Sequence, residues 1–395
     1  MWEFTKESYP VLFFDSTGTI NKKVTNQPVP FFYTISFHNK LWKKYVPLFE
    51  FVTTDQSQKS VLQYLTSAFF VLSDYVKKLQ HTTQFFSRTI FVTDHSDVLI
   101  NSALSVFNNC TLAQYLQWSY NIILCKKNDD KYFNVMNIII YICSTHFLNT
   151  MRKKAKKITK ENDQVNKDFL FSFGLIQNSD SLEEIEKYIK HIYNIFNTKY
   201  VYDFVIHSLD YIKNEIINRA LHKDENDNDT ISKKSNNQDF NNNEYFIKCE
   251  NLNEVYKSSP FRLYFEKYFN KLRADHINLQ LVNKAIIKDN NKIINSFYFP
   301  SLIKLIQERM FILPLWTGIM LKIFKAKNKK TFLFPENFFR LTNNPAEGRF
   351  NIVKNNIFIK ERKKKRRLTL SEVTSKLHTD VKATYRYNFK KSRKD

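Results

Sequence analysis

Asp15 closes the apolar run Val11-Leu12-Phe13-Phe14 and is followed by the turn-forming Ser16-Thr17-Gly18. Four consecutive apolar residues read as a strand buried on both faces, and a core strand ending on a carboxylate holds it rigidly. Asp94 repeats the arrangement after Thr89-Ile90-Phe91-Val92-Thr93. Glu347 stands in Thr342-Asn343-Asn344-Pro345-Ala346-Glu347-Gly348-Arg349, where Asn343 or Asn344 can cap a helix with Pro345 and Glu347 in its first turn. Singly, each acid has a plain reading as a turn or helix-start residue. Together they have a chemical one. Three carboxylates within a few ångströms would not all ionise unpaired, whereas hard Mg²⁺ or Mn²⁺ prefers carboxylate and phosphate oxygens. Two such ions about 3.5–4 Å apart can activate an attacking oxygen and stabilise a leaving one in phosphoryl transfer. Asp15 is then expected to bridge both ions, with Asp94 and Glu347 each holding one. No Ser or Cys nucleophile is needed, and the sequence shows no clear one.

The elements that must position these acids are read from hydropathy. Apolar runs predict strands over 11–14, 29–37 and 46–53, joined closely enough for an antiparallel meander. Pro30 and Pro47 are placed at strand starts, where a missing N–H is tolerated. Residues 57–79 put Val61, Leu65, Ala68, Phe69, Leu72 and Val76 on one helical face. A fourth strand covers 89–93. Ser96 or Asp97 can cap the helix that follows, a second helical pattern runs over 111–124, and a fifth strand over 135–142 leads into a basic helix around 151–157. Three meandering strands, a helix, a strand, a helix and a strand is the order of an RNase H-like sheet, with helical crossovers for its parallel strands. In that sheet the first and fourth strands are neighbours, which would set Asp15 beside Asp94.

The expected organisation is therefore α/β: a mixed five-stranded sheet with helices, interrupted by a large all-helical insertion before the last catalytic helix. Residues 1–160 are the first part of the core and 161–336 the insertion, with helical runs over 181–196, 201–220, 261–272 and 301–324. Within it, 223–244 is crowded with Asn, Asp, Ser and Lys, the composition of a disordered surface loop. Residues 337–358 complete the core, and 359–395 form a basic tail. The last 45 residues hold 15 Lys/Arg against 4 Asp/Glu.

The texts FFDSTG, IFVTDHSDVLINSALSVF, ICSTHFLNTMRKKAKK and LTNNPAEGRFN, in that order, resemble the catalytic domain of Mutator-like (MULE) DDE transposases. The resemblance covers about residues 10–160 and 335–356, with the helical segment matching in kind only. It implies an RNase H-like fold, a catalytic and metal-binding triad of Asp15, Asp94 and Glu347, and two Mg²⁺ (or Mn²⁺) ions. It also implies a C-x-x-H pair, Cys143 and His146, supporting the acidic site from behind. The implied activity is cleavage of transposon ends and strand transfer into target DNA. The implied partners are double-stranded DNA, as terminal inverted repeats and target, and further copies of the chain as a homo-oligomer. The hAT transposases share the core, the C-x-x-H and a helical insertion, but usually close on a Ser-rich acid-Arg text, so they stand second. Such transposases usually carry an N-terminal DNA-binding module. With fourteen residues before Asp15, the sequence is expected to be a fragment, or to take end recognition from a separate polypeptide, or to be a domesticated, transposase-derived DNA-binding or regulatory protein without catalysis.

Charge points to the same partner. Lys+Arg number 61 and Asp+Glu 38, a net charge of +23, which favours a polyanion such as nucleic acid over an acidic partner. Arg152, Lys153, Lys154, Lys156 and Lys157 follow His146 and are expected to hold the DNA backbone, with Arg349 near the third acid. Lys360, Arg362, Lys363, Lys364, Lys365, Arg366 and Arg367 read as a phosphate contact and a nuclear localisation signal. Trp316 reads as core, with stacking on a flipped base as the sharper alternative. Only 4 glycines argue against Gly-rich nucleotide loops. Four cysteines without a CxxC pair suggest reduced, intracellular thiols rather than a disulfide framework or a zinc ribbon. No secretory signal or bilayer-length apolar run stands out, so no membrane association is expected.

Overall fold

In the computed structural model, the described residues are 8–17, 30–39, 44–80, 89–125, 129–160, 162–224, 252–286 and 293–328, with Leu341 and a few positions between 372 and 380. The protein is α/β, with one five-stranded mixed sheet and a larger share of helix. The chain divides into two compact units, 1–149 with 314–395 and 150–313 between them. Among the described residues no helix is long and apolar enough to cross a membrane.

The first unit is built on β1 (Ser8–Thr17), β2 (Phe31–Asn39), β3 (Lys44–Thr53), β4 (Thr89–Thr93) and β5 (Ile138–Ile142), in the order β3-β2-β1-β4-β5. β1, β2 and β3 pair antiparallel; β4 pairs parallel with β1 and with β5. α1 (Gln58–Gln80) crosses from β3 to β4, and α2 (Asp97–Ala103), α3 (Leu112–Tyr120) and α4 (Asp129–Val135) lie between β4 and β5. One face of the sheet is aromatic. Tyr64 of α1 stacks on Phe51 at 4.6 Å and Phe51 on Tyr33 at 4.7 Å. Phe14 continues the row to Phe91, 5.6 Å away, and Phe91 to Phe107 at 5.4 Å. Because strand side chains alternate faces, burying Phe14 here commits Asp15 to the opposite face.

Several local expectations are corrected. Pro47 is not at a strand start: it lies inside β3, where the register shifts from Ile35↔Phe49 to Ser36↔Pro47. β3 is an edge strand and the shift is a bulge, the two settings in which a missing N–H costs no ladder bond. The fifth strand begins at Ile138, because Val135 ends α4. The pattern over 111–124 is α3 followed by a π-helical turn, Asn121–Cys125. β5 is the other edge strand, yet wholly buried. Its N–H groups alternate sides. Cys143 N–H donates to Thr93 O at 2.8 Å, while Ile138 N–H donates to Asn108 Oδ1 at 2.9 Å and Ile140 N–H to the Tyr115 hydroxyl at 3.1 Å. Two side chains thus supply the acceptors a sixth strand would have provided.

α5 (Ser144–Thr159) contains the boundary between the units. The second unit is helical: α6 (Asp163–Gln177), α7 (Leu182–Asn197), α8 (Asp203–Asp224), α9 (Leu252–Ser258), α10 (Pro260–Ile286) and α11 (Pro300–Gln307). α10 is longer than the predicted 261–272. The predicted helix over 301–324 is broken into α11, a 3₁₀ turn at Met310–Ile312, α12 (Leu313–Trp316) and α13 (Ile319–Asn328). Its apolar residues are buried almost throughout, so hydropathy alone does not reveal the breaks. Ser181 caps α7 by accepting from Glu184 N–H at 3.2 Å. The predicted disordered loop over 223–244 lies, beyond Asp224, outside the described residues.

Candidate active site

Asp15 and Asp94 are brought together by strand pairing. β1 and β4 run parallel in register, Phe14 opposite Thr93, so the next residue on each chain is an aspartate. β5 continues the row: Ile142 is opposite Thr93, and the next residue is Cys143. Asp15, Asp94 and Cys143 therefore stand in one line across three adjacent parallel strands. Asp94 and Cys143 follow the last residues of β4 and β5, whereas β1 runs two residues past Asp15 to Thr17, beyond the predicted 11–14, because Ser16 and Thr17 still pair with β2.

The pair of acids is electrostatically costly. Asp15 is buried, 3% exposed, and its carboxyl is pushed well above the ordinary aspartate range, first by burial and next by the Asp94 carboxylate. His146 and the Ser16 N–H act in the opposite sense, the latter donating to Asp15 Oδ1 at 2.7 Å. Across β2, Thr34 stands directly opposite Asp15 on the same face, and Glu50 of β3 opposite Thr34. Thr34 Oγ1 is buried with no hydrogen-bond partner among the described residues. The face around Asp15 is thus polar where a sheet core is normally apolar.

His146, in the first turn of α5, hydrogen-bonds through Nδ1 to Asp94 Oδ1. An ionised carboxylate can only accept, so this contact fixes the imidazole tautomer with its proton on Nδ1. Ligand atoms of Asp94, Cys143 and His146 lie within 4.8 Å of one another. The i, i+3 spacing of Cys143 and His146 puts both on Asp94 because Cys143 ends the strand neighbouring β4 and His146 opens the helix that leaves it. Donor chemistry divides the cluster. The Asp15 and Asp94 oxygens suit Mg²⁺ or Mn²⁺, while a thiol and an imidazole suit softer metals.

Glu347 and Arg349 lie outside the described residues. The chain nevertheless returns to this edge just before them, since Ser144 N–H donates to Leu341 O at 3.0 Å. Among the predicted DNA contacts, Arg152, Lys153 and Lys157 are exposed, and Lys154 and Lys156 half-buried. Lys360, Arg362, Lys363, Lys364, Lys365, Arg366 and Arg367 lie outside the described residues. Trp316 is fully buried, its ring 5.1 Å from Phe147, which packs edge-on against His95 at 5.7 Å. No face of its indole is open to a stacked base, so the stacking alternative gives way to core packing. Asp97 is the first residue of α2, with Ser96 at the cap position but making no side-chain cap bond. Burial raises the Asp97 carboxyl to about 6.

Comparison of the chain with protein-family models, with curated proteins and with solved structures gives no match.

Proposed function

We propose that the sheet-bearing unit is an RNase H-like catalytic core that carries out metal-dependent phosphoryl transfer on DNA, as a transposase does, with the helical unit as an insertion within it. The observation that carries this reading is the buried Asp15 beside Asp94 near the ends of two parallel, adjacent strands. An unrelieved pair of that kind lowers stability, so its presence calls for a cationic ligand. The strand order, with an antiparallel meander on one side of β1 and parallel β4 and β5 on the other, supports the same reading.

Asp15 and Asp94, with Glu347 as the third acid, would hold two Mg²⁺ or Mn²⁺ ions. Such ions supply charge neutralisation at the attacking and leaving oxygens. Within the chain, His146 restrains the Asp94 carboxylate, and the Ser16 N–H restrains that of Asp15. Cys143 does not fit a Mg²⁺ ligand set and packs at the strand end as a buried thiol. The partners in this reading are duplex DNA, as element ends and target, and further copies of the chain, with the nucleus as the compartment.

The test is nicking of supercoiled DNA in Mg²⁺ or Mn²⁺ by wild type and by Asp15→Ala, Asp94→Ala and Glu347→Ala. Cleavage by wild type alone is expected. Equal activity in all four proteins would overturn the proposal. DNA binding without cleavage by wild type would leave a domesticated, non-catalytic derivative.

A further inference from the structure

We propose that the helical unit carries a binding site for single-stranded nucleic acid: a recess of about 540 Å³ in which a base stacks on Tyr298 while Lys199, Arg273 and Lys304 take the phosphates.

The recess is built rather than incidental. One wall is the end of α7 with Lys199 just beyond it, a second is α10 through Arg273 and His276, and a third is Tyr298 with α11. The strand-like stretch that delivers Tyr298 is pinned to α7. Buried Asn295 donates through Nδ2 to Ile195 O and Thr198 O, each at 2.8 Å, and Phe299 N–H donates to Phe196 O at 2.9 Å. Tyr200 and Ile294 add a β-bridge. On the opposite wall, His276 is buried and hydrogen-bonded to Thr198 Oγ1 at 2.7 Å. Burial lowers its pKa, so it contributes a neutral polar ring. Tyr193 stands edge-on to that ring at 5.4 Å.

The lining chemistry selects the ligand. Among the described residues, three cations and no carboxylate line the recess, which selects an anion. Tyr298 is 40% exposed, and an exposed ring between cations is the platform that unstacked bases use. The volume fits a small ligand such as one nucleotide and excludes a duplex. A polymer is favoured over a free nucleotide because a second recess, of about 330 Å³, shares Lys304 and adds Lys154 and Lys157. Glu308 is the one acid there. Two cationic recesses joined at one lysine suit consecutive phosphates of a strand.

The experiment is fluorescence anisotropy of a short labelled oligothymidylate with the full chain in EDTA. No cleavage is needed, so failure of the catalytic reading leaves this result intact, and the reverse holds. The variant carrying Lys199→Ala, Arg273→Ala and Lys304→Ala should bind at least roughly tenfold more weakly. Its slope of log K against log salt should be shallower by about 2, as expected for three lost contacts to a single strand. Tyr298→Ala should lose roughly 5- to 150-fold and Tyr298→Phe should bind as wild type. A control with Lys167→Ala, Lys190→Ala and Lys213→Ala removes three exposed charges of the same unit and should bind as wild type. Binding of a duplex of equal length should be little changed in the recess variant. If the Arg273 substitution impairs folding, Lys199→Ala with Lys304→Ala carries the comparison. Equal losses in the control and recess variants, wild-type binding by Tyr298→Ala, or an equal loss of duplex and single-strand affinity in the recess variant would each overturn the proposal.

Discussion

Asp15→Asn should separate the cost of the acid pair from its use. Two carboxylates about 4 Å apart would repel by about 4 kcal/mol at an effective dielectric of about 20, and such repulsion adds to burial in raising the Asp15 pKa. The folded pKa of Asp15 lies above its unfolded value. Its contribution is therefore favourable at low pH, and it is lost as pH rises from the unfolded pKa toward the folded one. Without ions, Asp15→Asn should flatten that decline and be more stable than wild type at high pH. With ions, the order should reverse. A cation at about a hundred times its Kd stabilises by about 2.7 kcal/mol, which for a unit of this size is roughly 5–10 °C in Tm. Because a cation competes with protonation of Asp15, its Kd should fall as pH rises, by at most about tenfold per pH unit. Scanning fluorimetry of wild type and Asp15→Asn, in EDTA, Mg²⁺ and Mn²⁺ between about pH 5.5 and 8, measures all three effects. An ion-induced shift that is independent of pH and undiminished in Asp15→Asn would refute the reasoning.

Two further substitutions test the frame around the site. Trp316→Ala removes a fully buried indole that packs on Phe147 and should cost about 3–5 kcal/mol in denaturant unfolding. Unchanged stability with lost DNA cleavage would instead restore a substrate-stacking role. Tyr115→Phe deletes the acceptor of the Ile140 N–H on the open side of β5 and should cost about 1–3 kcal/mol. A loss below about 0.5 kcal/mol would mean that another group takes over this N–H.

How far the sequence reaches is clear at particular residues. Thr89–Thr93 is legible to the residue, because five apolar or β-branched positions end abruptly at Asp94. α1 is legible from its apolar stripe, whereas the run before Asp15 marks the strand but not its end, since β1 continues to Thr17. The contact of His146 with Asp94 spans 52 positions, and no local pattern encodes it. Its only trace is the C-x-x-H spacing, which could equally be half of a zinc site. Asn108 and Tyr115 show no sign in the sequence that they close an edge strand. Lys199, Arg273 and Lys304 look like scattered surface cations until α7, α10 and α11 enclose them.

The sequence by itself determined which runs become strands and helices, and that two acids follow strand-forming runs. Those properties follow from alternation and periodicity, which depend only on neighbours along the chain. Element order led to the expectation that the first and fourth strands are neighbours; the tertiary structure decided the register, Phe14 opposite Thr93, and the placing of His146 on Asp94. Pairing and register are settled by burying the aromatic face on α1 and satisfying backbone hydrogen bonds between distant segments. The acid that the sequence shows after one apolar run becomes, through that pairing, one of two neighbouring carboxyl groups.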